Sequence, residues 1–183
     1  MKRLILTAAL VLTCILTVSA QENVFTKGTH IASLGIGLPI LSSTYRSTIP
    51  PVSASYEMGI VDFGRPGSIG VGGYMGFWGY KYKSSYEGHS SYRYFNTLIG
   101  VRGAYHFTII DNWEVYAGAV LGLDLSSHRF KNIDGQTVSG DTHLGFGYQA
   151  FAGTRYMFTP SLGAYAEFGY GISYGSIGIT FRF

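Results

Sequence analysis

Asp124, Ser126, Ser127 and His128 lie within five consecutive residues. A carboxylate, a hydroxyl and an imidazole are the groups of nucleophilic ester hydrolysis: the imidazole takes the hydroxyl proton and the carboxylate orients the imidazole. The surrounding chain alternates apolar with polar residues, so positions 124, 126 and 128 share one face of a strand, about 7 Å apart at each step. Such spacing lines the groups up without aiming one at the next, and by itself it builds no triad. His89, His128 and His143 would meet as a metal site only if two long loops folded together. No His-x-Glu or His-x-x-x-His spacing supports that, so neither a metal nor any other cofactor is expected. Gly35-Ile36-Gly37 and Gly145-Phe146-Gly147 fall inside strands and open no helix, which excludes a phosphate-cradling loop.

A second set of ionisable residues follows strand parity. Glu57, Glu114, Asp124 and Glu167, with Arg102, Arg155 and Arg182, all fall on the face of their strands that carries small residues. Charges on a narrow interior lose water and must be paired. The expectation is a lumen ion network, with Asn96, His106 and Gln149 as neutral partners, that holds the interior together. A narrow conduction path gated by rearranged pairs is the alternative.

The elements that position these groups are eight segments of period two. They run at about His30 to Leu38, Val52 to Asp62, Ser68 to Tyr82 and Tyr92 to Phe107, then from Trp113 to Leu125, His143 to Phe158 and Leu162 to Tyr170, and finally Ser176 to Phe183. In the fifth, Trp113, Val115, Ala117, Ala119, Leu121, Leu123 and Leu125 oppose Glu114, Tyr116, Gly118, Gly122 and Asp124. The apolar face is too continuous to meet water, and the polar face is too charged to be an ordinary core. Lipid outside and a plugged polar interior fit both. Turns at 63–67, 108–112 and 159–161 are short; the connections 39–51, 83–91 and 126–142 are longer and polar. Phe63, Phe107, Trp113, Tyr156, Phe158, Phe181 and Phe183 gather near the short turns, as a membrane girdle would. Tyr45, Arg46, Lys83, Tyr86, His89 and Arg93 are expected in the long loops, where such residue types favour recognition.

The start of the chain is expected to be processed. Lys2 and Arg3 precede an apolar run from Leu4 to Val18, and Val18-Ser19-Ala20 has the small residues of a cleavage site. Residues 1–20 therefore read as a signal peptide and 21–183 as one domain. Loss of Lys2 and Arg3 leaves 11 basic residues against 10 acidic ones, so nucleic acid is not a partner to expect. The only Cys, Cys14, leaves with the signal, so no disulfide supports the mature chain.

The signal peptide, the eight strands, the alternation of short and long connections and the closing Ser176-Ile177-Gly178-Ile179-Thr180-Phe181-Arg182-Phe183 resemble the small OmpA/OmpX-type outer-membrane β-barrels. The resemblance covers residues 21–183. It implies an all-β, eight-stranded antiparallel transmembrane barrel in a Gram-negative outer membrane, with both termini periplasmic. It also implies contact with outer-membrane lipid and lipopolysaccharide, and assembly by the barrel-assembly machinery, which reads the final strand through Ile179, Phe181 and Phe183. A monomer is expected. The family's roles range over adhesion, serum resistance, envelope integrity and, in a minority, lipid modification. The function expected here is envelope-structural or surface-interacting through the outer loops, without catalysis and with an unidentified extracellular ligand. A hydrolase of outer-leaflet lipid using Ser126 or Ser127 with His128 and Asp124, and a narrow porin-like channel, are the alternatives.

Overall fold

The computed structural model describes residues 23–38, 45–64, 67–83, 91–131 and 137–183. Eight strands run in chain order: β1 (His30–Gly37), β2 (Tyr45–Asp62), β3 (Ser68–Lys83), β4 (Ser91–Ile110), β5 (Trp113–Lys131), β6 (Thr137–Met157), β7 (Leu162–Tyr170) and β8 (Gly175–Arg182). Each pairs antiparallel with the next, and β1 closes onto β8 from Ile31 opposite Arg182 to Gly37 opposite Ser176. Closure removes the sheet edges wherever all eight strands run together.

The two faces are inverted relative to a water-soluble barrel. Leu34, Met75, Val101, Leu121, Phe146 and Ile179 point out and are exposed, Phe146 by 72%. Glu57, Arg102, Glu114 and Arg155 point in and are at most 1% exposed. A belt of this kind, running round the whole barrel, suits acyl chains and would aggregate in water. No helix among the described residues is long and apolar enough to cross a membrane, so any crossing is made by strands.

The strands differ in length. β1, β7 and β8 have 8 or 9 residues, at or just under the about 9–11 that a tilted strand needs to cross a bilayer. β2 to β6 have 16 to 21 and overrun the rest at the end away from the short turns. The long loops expected from sequence are correspondingly shorter. Tyr45 and Arg46 belong to β2, Lys83 to β3, Arg93 to β4, and Ser126, Ser127 and His128 to β5, while residues 137–142 begin β6. Hydrophobic alternation ends where lipid ends. The backbone ladder does not, because neighbouring strands satisfy each other's amides equally well in water. At the opposite end the turn expected over Thr108–Asn112 narrows to Asp111 and Asn112, with Asn112 in the left-handed region at φ 66°. Asn tolerates that conformation better than most residues. Residues 1–20, Tyr86 and His89 lie outside the described residues.

Candidate functional site

The interior is built in layers. Strand parity brings Glu57 from β2, Arg102 and His106 from β4, Glu114 from β5, Arg155 from β6 and Glu167 from β7 to one level near the short-turn end. Arg102 grips Glu167 with Nη2 at 2.5 Å and Nη1 at 3.4 Å, and its Nε lies 3.3 Å from Glu57 Oε1. Arg155 donates from Nη1 to Glu114 Oε1 and from Nη2 to Glu57 Oε2 at 3.4 Å. His106 presents Nε2 to Glu57 Oε1 at 3.5 Å and Nδ1 to Glu114 Oε1 at 3.3 Å. The Tyr116 hydroxyl donates to Glu167 Oε1 at 3.0 Å. Because β2 and β6 are not neighbours, the Arg155–Glu57 contact spans the lumen as a strut. Charges this deeply buried are tolerable only when so paired.

Two of the residues expected in this network stand elsewhere. Arg182 donates from Nε to the Pro160 carbonyl at 2.7 Å and from Nη1 to the Val24 carbonyl at 3.1 Å, so it serves backbone at the barrel's rim. Orphan carbonyls in the turn and the N-terminal segment lie nearer to it than any carboxylate does. Asp124 accepts a hydrogen bond from Ser126 Oγ at 3.3 Å and lies on the overrun side of the lumen, away from the guanidinium groups. Of the neutral partners, His106 joins the network, whereas Asn96 accepts from Ser126 Oγ at 2.7 Å.

Beyond the ionic level sits an apolar one of Tyr74, Leu98, Val120, Phe151 and Ile172, all buried; inward parity gives Tyr74 from sequence, and sequence reading passed over the other four. Leu98 and Phe151 are each four residues before an arginine of the network, so strict parity would have found them. The Phe151 ring lies 3.7 Å from the Arg102 guanidinium, which gives that cation an aromatic face as well as its carboxylates.

The short-turn mouth is closed from below by residues 23–29, for which no periodicity gave a signal. Phe25 is buried and stacks on His106 at 4.0 Å between centroids. Ser68 Oγ donates to the Phe25 carbonyl at 2.7 Å, the Val24 amide donates to Thr108 Oγ1 at 3.1 Å, and the Gly28 and Gly59 amides donate to the carbonyls of Gly59 and Thr29. A Cβ at Gly59 would fall on the Thr26 carbonyl oxygen, and one at Gly70 would come within 2.8 Å of the Phe25 ring. Gly59→Val should therefore lift this strap, cost about 1–3 kcal/mol by overpacking, and speed proteolysis at residues 23–29. Unchanged urea unfolding together with unchanged proteolysis would refute that role.

The outer surface carries the aromatic residues of the expected girdle. Phe63, Trp113, Tyr156, Phe158, Phe181 and Phe183 are exposed near the short turns, and Phe107 is half-buried. Tyr156 packs on Phe158 at 5.6 Å, and Phe183 stacks on His30 at 5.8 Å. The Ser–His–Asp candidates do not assemble. Ser126 bonds to Asn96 and Asp124, Ser127 is on the outward face, and His128 Nδ1 has no hydrogen-bond partner, its ring lying 5.7 Å from Tyr94. Of the histidines considered for a metal, His143 is exposed, and no group of metal-ligating residues occurs among the described residues. Tyr45, Arg46 and Lys83 lie at the far ends of β2 and β3, and Arg93 is exposed on β4.

An apolar exterior, a closed eight-strand ring and a filled ionic lumen define a β-barrel of the small outer-membrane type. Among solved structures the chain is similar to Ail, the attachment invasion locus protein of Yersinia pestis, in complex with the heparin analogue sucrose octasulfate. That likeness has 16% identity and a TM-score of 0.53, and it covers 86% of this chain and 100% of that one. A second structure of Ail gives 17% identity and a TM-score of 0.49 over 86% and 100%. The N-terminal β-barrel domain of Pseudomonas aeruginosa OprF gives 18% and 0.42 over 86% and 98%. No protein-family model and no curated protein matches the chain.

Proposed function

We propose that this barrel works at the cell surface as a binding protein without catalytic chemistry, its lumen plugged and its long-strand end facing outward from the outer membrane. The observation that carries the reading is the overrun of β2 to β6. β7 pairs with β6 only from Ala150 to Met157, and β1 pairs with β2 only from Val52 to Met58. Beyond those limits, among the described residues, the five strands form an open sheet with two edges. Pro50 and Pro51 lie on the β2 edge and remove backbone donors there, which guards it against pairing. The part of the β6 edge above the belt, from Thr137 to His143, contains no proline, and no strand pairs with its outer side among the described residues. Such an edge accepts an extended segment of a partner chain by strand addition. That Ail is an attachment invasion locus protein agrees with this reading, and the short turns and both termini would then be periplasmic.

The test is adhesion. Cells displaying the full barrel should bind host-cell or matrix surfaces above an empty-vector control. A variant in which a tight turn replaces 127–141 should lose that binding while keeping heat-modifiable migration on gels. Equal binding by the trimmed and full barrels would overturn the proposal. Deacylation of phospholipid or lipid A by the purified barrel, abolished by His128→Ala, would favour a hydrolase instead. A separate expectation concerns biogenesis: deleting Phe183 should lower outer-membrane accumulation, because the last strand would carry the signal for the assembly machinery. Normal levels in fractionated membranes would count against such a signal.

A further inference from the structure

At the ionic level of the lumen three carboxylates, Glu57, Glu114 and Glu167, meet two guanidinium groups, Arg102 and Arg155, among the described residues. All five side chains are buried, so one negative charge stands in excess where water does not screen it. The remaining member of the level is His106, which is 1% exposed and which sequence parity suggested as a neutral partner. Its Nδ1 lies 3.3 Å from Glu114 Oε1 and its Nε2 lies 3.5 Å from Glu57 Oε1. A carboxylate oxygen accepts and does not donate, and a neutral imidazole carries a bare lone pair on one nitrogen in either tautomer. A neutral ring would therefore turn that lone pair on one of the two acids, whichever tautomer it took. Both acids are already held in their charged form. Glu114 accepts from Arg155 Nη1, and Glu57 lies against Arg155 Nη2 and Arg102 Nε.

The strap over the short-turn mouth rests on this ring. Phe25 stacks on His106 with centroids 4.0 Å apart and planes 21° from parallel, and the Tyr116 ring stands at 5.3 Å. An aromatic face attracts a cation, whereas it gives a neutral imidazole only ordinary stacking. The groups facing His106 are Glu57 from β2 and Glu114 and Tyr116 from β5. Arg102 of β4 and Arg155 of β6 reach it through those acids. β3 brings Ser68, opposite His106, and Gly70, neither of which titrates. The strap brings Phe25, its Lys27 being exposed, and Arg182 of β8 holds the Val24 carbonyl.

We infer that His106 is the third cation of the lumen, with a proton on both ring nitrogens, and that this proton is the latch holding residues 23–29 against the mouth. The inference is independent of which end of the barrel faces outward. With the proton in place the level is neutral and Phe25 covers a cation. As rising pH strips the proton, the excess negative charge returns, one nitrogen turns a lone pair on a carboxylate, and Phe25 loses the charge it covered. The latch is therefore set at neutral pH and released at alkaline pH. The strap then lifts and admits water to the short-turn mouth, while the guanidinium struts and the strand ladder stay in place.

The experiment uses the full barrel in phosphatidylcholine nanodiscs, with isotope-labelled histidine and with para-fluorophenylalanine in place of Phe25, read by magnetic resonance. The His106 nitrogen signals are identified by their loss in His106→Gln. At about pH 7, above the ordinary imidazole midpoint, both should be the signals of protonated nitrogens. One bare nitrogen there would overturn the third cation. Raising the pH to about 10, far beyond the ordinary imidazole range, should move the His106 nitrogen signals and the fluorine signal in one step with a shared midpoint. The fluorine signal should end where it stands in His106→Gln, and in that variant it should not respond to pH. Heat-modifiable migration verifies that the variant has folded; if it has not, the coupled step in the parent decides. No step over the whole range, a nitrogen step without a fluorine step, or a fluorine step that persists in His106→Gln would overturn the latch.

Discussion

Arg102→Met should lower the unfolding free energy of the membrane-embedded barrel by about 3–5 kcal/mol, the range for removing one partner of a buried ion pair. Arg102 holds Glu167 through two nitrogens and Glu57 through a third, and it is 1% exposed. Its loss leaves two carboxylates with Arg155, His106 and Tyr116 as their remaining partners. A second change, Glu167→Gln, removes one of the stranded charges and keeps an acceptor for the Tyr116 hydroxyl. The double variant should therefore recover about 1–3 kcal/mol of the loss, a coupling of the size contacting residues show. Urea unfolding in lipid vesicles measures both. A single-variant loss below about 1 kcal/mol, the value of a solvent-exposed pair, would mean that water reaches the lumen and that the interior is not the closed strut described here.

Ala119→Arg should cost about 2–4 kcal/mol and slow insertion, because Ala119 is exposed on the lipid face between Ala117 and Leu121 near the middle of the apolar belt. The same substitution at Ser127, also outward but in the overrun of β5, should cost within about 0.5 kcal/mol, as surface changes do. The pair isolates depth, since both sites face outward on one strand. A change at Gly118 acts differently. A Cβ there would lie 2.8 Å from the Phe151 ring, so the loss comes from packing. Equal tolerance of Arg at positions 119 and 127 would contradict the placement of the membrane boundary below Ser127.

The fold was legible because its solvent reversal writes a simple code. Alternation along Trp113–Leu125 specified a strand, and acids opposite leucines specified which face was inside. The network was legible for the same reason: Glu57, Arg102, Glu114, Arg155 and Glu167 are charges on inward parity. The apolar level was hidden because Val120 and Phe151 sit between apolar neighbours and Leu98 stands beside Ile99, where alternation has little contrast. Arg182 obeys the same parity as Arg102. Its height beside Pro160 and Val24, not its face, sends it to backbone carbonyls, and height depends on the stagger between strands.

By itself, then, the order of residues determined the strand count, the faces and the solvent each face meets, since these follow from a local period of two. The tertiary structure alone decided which charges meet across the lumen, where residues 23–29 seal the mouth, how far β2 to β6 run beyond the belt, and that His106 stands between two carboxylates. Those depend on register, in which a shift of two residues keeps every face and changes every neighbour.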